Sequence, residues 1–348
     1  MNARRVSYVA AGTLTVEDVK TAPPPAGHVR IDVAYTGICG TDLHVYHGAM
    51  DARVDPPGVI GHEMSGRVAQ TGPGVTGWQP GDHVTVMPLA ACGQCPACRA
   101  GHSHICHRLV FIGIDADGSL QSSWTVPADT LVRLPDDLRL DHAALVEPTA
   151  VAVHDVRRAA LEPGEKALVV GGGPIGLLIA VVARRSGADV LLVEPDPYRR
   201  SVAESLGLTA LPPGTDDFTD ALARWSDGAG AAVAFEVSGA AAGVTTAVDS
   251  LATRGRLVQV AIHPQPREIS LHRFFWRELT LIGARLYERG DFETAVALIA
   301  GGDIPAETLI SRIEPLDRVV RAFEALESGD GVMKVLIDCR SAEAGGAR

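Results

Sequence analysis

Aromatic side chains are scarce in this chain, at 5% of 348 residues. Positive charge is also in deficit: 31 lysines and arginines stand against 42 aspartates and glutamates, a formal net charge of −11. No basic run occurs, and no basic residues alternate with aromatics. Phosphate backbones demand clustered cations, so nucleic acid is excluded as a partner. Long hydrophobic runs are missing too. The longest uncharged stretch, 167–183, is shorter than the ~20 residues of a membrane span and is broken by Gly171-Gly172-Gly173-Pro174. No secretory leader is visible, because Arg4 and Arg5 precede only a short mixed segment and Glu17 and Asp18 soon follow. A soluble, cytoplasmic protein with no membrane partner is expected.

What is present is a globular balance, 46% hydrophobic, and enough length for two domains at roughly 150 residues each. Short strand signals at 29–35, 67–71 and 83–87 are separated by Pro-Gly clusters such as Pro23-Pro24-Pro25 and Pro80-Gly81-Asp82. Regular turn signals between short strands predict a mostly-β, barrel-like first domain. From about residue 167 the pattern changes to alternating strands and helices. Strands are predicted at 166–170, 189–194, 231–237, 256–261 and 279–286, with helices at 175–185 and 197–206. That alternation implies a doubly wound parallel sheet, an α/β fold. Helices at 292–300 and 316–328 and a strand at 332–338 are expected to return to the first domain, and 341–348 reads as a frayed tail. The domain reading is 1–154, 155–289 and the return 290–348.

Gly171, Gly173 and Gly176 fit the pattern G-x-G-x-x-G. The pattern follows a strand, opens a helix and is followed by Glu194 at the end of the next strand, the context of a dinucleotide-binding turn. Glycines there permit a tight turn and close backbone approach, so that a pyrophosphate can sit at the helix N-terminus. Glu194 is positioned to accept hydrogen bonds from the adenine ribose and to repel a 2′-phosphate, which points to NAD over NADP. Arg199 and Arg200 are the opposing evidence, since either could meet a phosphate. Pro174, Ile175, Arg199 and Val237, which ends the predicted strand 231–237, complete the expected cofactor set.

Two metal constellations stand out. Cys92, Cys95, Cys98 and Cys106 crowd into one short segment, a spacing that lets a single loop wrap a tetrahedral zinc with no position left for chemistry. In a cytosolic chain this outweighs a disulfide pair or an iron–sulfur cluster. His102, His104 and His107 are then surplus, expected on the surface, and Cys339 reads as a small buried hydrophobe. The second constellation is scattered. Cys39, His62, Glu63 and Glu147 offer the thiolate, imidazole and carboxylate that zinc takes, in a site able to keep one position open. A Lewis acid beside a hydride carrier suits alcohol oxidation.

The segment Gly61-His62-Glu63, followed by Gly66, Gly72 and Val75, resembles the zinc signature of the medium-chain alcohol and polyol dehydrogenases. The four-cysteine lobe and the nucleotide motif fall in that family's order, so the resemblance covers nearly the whole chain. Cys39-Gly40-Thr41-Asp42 with His44, and Glu147-Pro148, look most like threonine, butanediol and sorbitol dehydrogenases. Ethanol-type enzymes usually carry cysteine where Glu147 stands. The resemblance implies a GroES-like catalytic domain carrying a structural zinc lobe, a Rossmann domain, two zinc ions per chain, and a homodimer or homotetramer. It makes Cys39 and His62 zinc ligands, with Glu63 or Glu147 as the carboxylate ligand. It has Asp42 accept the second imidazole proton of His62, a common outer-shell arrangement. Thr41 takes the alcohol proton and passes it through the cofactor ribose to His44.

The function read from these features is hydride transfer from a secondary alcohol to NAD, giving the ketone. Zinc with the Cys39 thiolate and one glutamate is neutral, and a second glutamate makes the site negative unless protonated. Extra hydroxyls or an ammonium group are then favoured over a bare alkyl chain. Polyols, vicinal diols, cyclitols and amino alcohols all qualify, as does the alternative of L-threonine 3-dehydrogenase. A catalytically silent nucleotide-binding or redox-sensing protein would lack a ligand or relay residue, and none is missing. Arg285, Tyr287 and Arg289 follow the last sheet strand as candidate cleft residues.

Overall fold

The computed structural model describes residues 2–329 and 331–340, so the expected frayed tail at 341–348 lies outside the described residues. The chain forms two compact units. One comprises Met1–Glu147, Glu288–Gly302 and Ala306–Arg348; the other comprises Pro148–Tyr287 and Asp303–Pro305.

The first unit opens with an antiparallel hairpin of β1 (Asn2–Ala10) and β2 (Thr13–Lys20). Its main sheet is built around β3 (His28–Gly37), in which Val29, Ile31 and Val33 are all buried. This period of two is what a strand needs to present one face to a core. A short helix α1 (Gly40–Tyr46) separates β3 from β4 (Glu63–Thr71), which pairs antiparallel with it so that Gly37 faces Glu63. The strand β5 (His83–Val86) follows, fully buried. The cysteine lobe comes next, carrying the small pair β6 (Leu89–Ala90) and β7 (Val110–Phe111). Then β8 (Ser123–Pro127) returns to β3, and β9 (Leu131–Arg133) pairs with β5.

The second unit holds six parallel strands: β10 (Lys166–Val170), β11 (Asp189–Val193), β12 (Thr209–Leu211), β13 (Ala231–Glu236), β14 (Leu251–Gln259) and β15 (Thr280–Gly283). Their order, β12-β11-β10-β13-β14-β15, reverses direction between β10 and β13. Ligands of doubly wound sheets bind at such a switch point. Ala167–Val170 and Val190–Val193 are buried throughout, as expected of strands covered on both faces. Each fully buried Val or Leu stabilises the fold by about 1.5–3 kcal/mol relative to exposure. The predicted strand at 279–286 is shorter in the structure, where β15 is an edge strand paired with β14 among the described residues.

The chain then re-enters the first unit through a helix at Arg289–Ala300, β16 (Ile310–Pro315), a helix at Val319–Ser328 and β17 (Lys334–Asp338). The last strand lies between β16 and β3, with Leu336 opposite Gly37. The ends of β3, β4 and β17 therefore meet, and those ends carry the chemistry.

Candidate active site

Cys39 follows β3 and occupies the N-cap of α1. His62 and Glu63 lead into β4, and a donor atom from each comes within 4.8 Å of the others and of Cys39. One cation at about 2.0–2.3 Å from each could draw this set together. The donor chemistry and the burial of His62 and Glu63 both fit zinc. Glu147, also buried, lies outside that close group, but its charge reaches His62 and Lys334.

Asp42 sits 3.6 Å from His62 Nδ1, beyond hydrogen-bond range, and both facing atoms lack a hydrogen-bond partner. Its other oxygen accepts from the Cys39 amide at 2.9 Å. In place of the expected hydrogen bond from His62 the structure has a charge contact, while the other Asp42 oxygen closes the first turn of α1. Burial works against the imidazolium, yet Asp42, Cys39 and Glu147 together hold the His62 pKa well above its ordinary value. Such crowding of anionic groups is what a bound cation relieves. With Nδ1 turned toward Asp42, Nε2 is the nitrogen available to the metal. Thr41 is half-buried and His44 is exposed, three residues apart on one side of α1. No hydrogen bond to the His44 ring occurs among the described residues.

Sequence reasoning missed Lys334. Its ammonium lies 2.8 and 2.6 Å from the two Glu63 oxygens and is only 3% exposed. Burial opposes its charge, but Glu63, Cys39 and Glu147 outweigh that cost and raise its pKa. The signal available was a lysine between Met333 and Val335, in a strand whose one other charge is its last residue, Asp338. The presence of Lys334 offsets part of the negative charge of the site: a divalent ion and one ammonium stand against the Cys39 thiolate and the carboxylates of Asp42, Glu63 and Glu147, which leaves one net negative charge. Arg289 donates to the Asp129 and Leu131 carbonyls at 2.9 Å, which ties a helix to a strand end. Tyr287 is fully buried.

In the lobe, all four cysteines are free thiols, with Sγ separations such as 3.4 Å for Cys95–Cys98, 3.8 Å for Cys95–Cys106 and 4.0 Å for Cys92–Cys98. A tetrahedron with zinc–sulfur bonds of about 2.3 Å has edges of about 3.8 Å, so these donors fit structural zinc. Backbone N–H groups of Gln94, Cys95, Cys98, His107 and Arg108 point at the sulfurs. The Gln94 amide leads the influences that pull the Cys92 thiol down to about 5. His102 and His107 are exposed as expected, but His104 is buried beside Glu288 at 3.7 Å.

In the second unit, the turn after β10 has Gly171 at φ +111°, in the region that favours glycine. A Cβ on Gly176 would lie 1.8 Å from the Gly171 carbonyl oxygen, so that helix turn packs directly on the loop. A Cβ on Gly173 would meet only Arg199 Nη1, at 3.8 Å, which leaves a cradle open above the helix Pro174–Arg185. Pro174 and Ile175 form the first turn of that helix, and the Val237 amide donates to the Val170 carbonyl at 2.9 Å beside it. Glu194 accepts from Gly172 N at 2.5 Å and Asp196 N at 2.8 Å, which fixes its carboxylate at the loop. Arg200 is committed to the Glu194 and Pro195 carbonyls, at 2.8 and 2.6 Å. Arg199 keeps a buried Nε without a hydrogen bond. These residues fit a dinucleotide.

Comparison with known proteins agrees with both halves. The alcohol dehydrogenase GroES-like domain family matches residues 25–136, and the zinc-binding dehydrogenase family matches residues 174–301. The 2-dehydro-3-deoxy-L-galactonate 5-dehydrogenase of Pseudoalteromonas atlantica is 48% identical over 334 residues, 96% of this chain and 98% of that one. The crystal structure of 2R,3R-butanediol dehydrogenase from Bacillus subtilis superposes with a TM-score of 0.88 at 31% identity, covering 97% of this chain and 99% of that one. An Escherichia coli alcohol dehydrogenase complexed with NADH reaches 0.89 at 25% identity, covering 97% and 99%. No helix among the described residues is long and apolar enough to cross a membrane. The chain therefore belongs to the zinc-binding alcohol and polyol dehydrogenases, enzymes that transfer a hydride between a secondary alcohol and a nicotinamide coenzyme.

Proposed function

We propose that the enzyme oxidises a secondary hydroxyl of a sugar acid, a polyhydroxylated chain bearing a carboxylate, with NAD as the preferred coenzyme. The observation that carries this reading is the 48% identity to a dehydrogenase of 2-dehydro-3-deoxy-L-galactonate. Lys334 beside Glu63 is consistent with this reading, since its ammonium lessens the negative charge that Asp42, Glu63 and Glu147 would otherwise present to an anionic substrate.

Cys39, His62 and Glu63 hold the zinc, Asp42 steadies His62 by its charge, and Glu147 stands behind as a further carboxylate. Zinc there supplies Lewis acidity that makes a hydroxyl more acidic, and the coenzyme supplies the hydride acceptor. Thr41 Oγ1 accepts the substrate hydroxyl's proton while passing its own onward toward His44, and the exposed His44 ring hands a proton to water, a task open to a solvent-facing imidazole. Gly171, Gly173, Pro174, Ile175, Gly176 and Val237 shape the coenzyme cradle. Glu194 accepts from the adenine ribose, and Arg199 faces the phosphate end.

A homo-oligomer is part of the same reading. The edge strand β15 exposes Leu281, and the helix Leu271–Arg277 shows Leu271, Phe275 and Trp276 to solvent, each more than 70% exposed. An unpaired edge with neighbouring apolar surface invites a second copy. Light scattering at monomer mass across dilution would remove this part.

The functional test is an NADH-production screen on 2-dehydro-3-deoxy-L-galactonate, sorbitol, 2,3-butanediol and L-threonine, with NAD and NADP in parallel. The sugar acid should give the highest kcat/KM. A higher value for L-threonine or a neutral polyol would overturn the substrate class.

A further inference from the structure

The chain contains only three lysines, Lys20, Lys166 and Lys334, in a protein that otherwise uses arginine for its cations. One of the three is buried at the start of β17. An ammonium offers three N–H donors in a compact point charge, and here each has an acceptor. They are Glu63 Oε1 at 2.8 Å, Glu63 Oε2 at 2.6 Å and the Ile38 carbonyl at 3.2 Å. The ammonium thus touches the side chain of one metal donor and the peptide unit leading into another, Cys39. Gly37 keeps the lane clear, since a Cβ there would lie 2.3 Å from Glu63 Oε2. Three strands converge on one carboxylate: β4 supplies it, β3 makes room for it, and β17 grips it.

We propose that Lys334 is a positioning residue that shares the Glu63 carboxylate with the open-site metal and so weakens Glu63 as a ligand. Both carboxylate oxygens already accept from Nζ, so electron density that a free glutamate would direct to the cation is divided. Glu63 becomes a ligand that a substrate hydroxyl can displace while Cys39 and His62 keep the metal in place. The inference rests on the reading of Cys39, His62 and Glu63 as the open zinc site.

The test is chelator competition for the open-site zinc, with the cysteine lobe kept loaded, in the whole enzyme. Lys334→Met should tighten zinc binding on the order of 10-fold or more, the scale of outer-shell effects on metal affinity. Cobalt substituted at the open site should show an altered visible spectrum in the same variant. Lys334→Gln, which keeps hydrogen bonding without charge, should move both readouts the same way and serves if the methionine variant folds poorly. In a Glu63→Gln background the Lys334 substitutions should have a clearly smaller effect, the remainder being loss of a positive charge near Cys39 and Glu147. Unchanged or weaker zinc binding in Lys334→Met and Lys334→Gln would overturn the proposal. If Glu63→Gln alone leaves zinc affinity and cobalt spectrum intact, the ligand reading itself fails, an outcome distinct from failure of the lysine's role.

Discussion

Replacing Glu194 by glutamine changes one atom and should change two measurable things. Each carboxylate oxygen accepts a backbone N–H, from Gly172 at 2.5 Å and from Asp196 at 2.8 Å. A carboxamide has a single acceptor oxygen, so one of those N–H groups must face an NH2. Hydrogen bonds to a charged group contribute about 1.5–3 kcal/mol each, and that is the expected loss of stability. In a unit of this size the melting temperature should fall by about 3–12 °C. The ribose also loses a charged acceptor, so NAD affinity should fall by about 10- to 150-fold. NADP escapes part of that loss, because the negative charge facing its 2′-phosphate is gone. The ratio of kcat/KM for NAD over NADP should therefore drop at least 10-fold, roughly 1.4 kcal/mol. Initial-rate kinetics with both coenzymes and a thermal melt on the same preparation measure all three quantities. A folded Glu194→Gln enzyme with an unaltered coenzyme ratio would refute the assignment. The reason for the preference would then lie with Arg199, since Arg200 is occupied by backbone carbonyls.

Three further outcomes follow from the geometry. Gly176→Ala should abolish coenzyme binding while leaving open-site zinc in place, because its methyl would lie 1.8 Å from the Gly171 carbonyl oxygen; coenzyme titration beside metal analysis checks it. Metal-stripped protein at about neutral pH should be alkylated at Cys92 before Cys98, because the reactive species is the thiolate, and those thiols are set near 5 by the Gln94 amide and near 12 by burial. Peptide mapping that finds Cys98 labelled first would contradict it. His44→Ala should retain zinc and NAD but lose roughly 10²–10⁴-fold in turnover, with a changed pH profile and partial rescue by imidazole; an unchanged rate would return His44 to an ordinary surface role.

Much of the fold was legible because its strands announce themselves. The segment 166–170 reads as a strand from its apolar run against a glycine turn, and β10 spans Lys166–Val170. The β1–β2 hairpin escaped, since its second strand mixes charge with valines and shows little burial. The metal donors were readable from residue type and order, which the chemistry of zinc constrains tightly. Lys334 was not, because its partner Glu63 lies 271 residues away and only strand pairing brings them together. The positive charge it adds to the site was out of reach for the same reason. Asp42 illustrates a subtler limit: its neighbourhood to His62 could be inferred, but not that its second oxygen would be held by the Cys39 amide.

That separation of 271 residues also sets an order of assembly. At about 5–20 residues per second, the ribosome makes Lys334 some 14–54 s after Glu63. The whole of Pro148–Tyr287 emerges in between and forms a unit of its own. During that interval the nascent site has its thiolate, its imidazole and its carboxylates, but no ammonium to divide Glu63's attention. Until β17 is made, the donor residues lack the one positive charge that Lys334 adds beside Glu63. On the role proposed for Lys334, the tempered donor set that can release a ligand to its substrate is complete only once the last strand is in place.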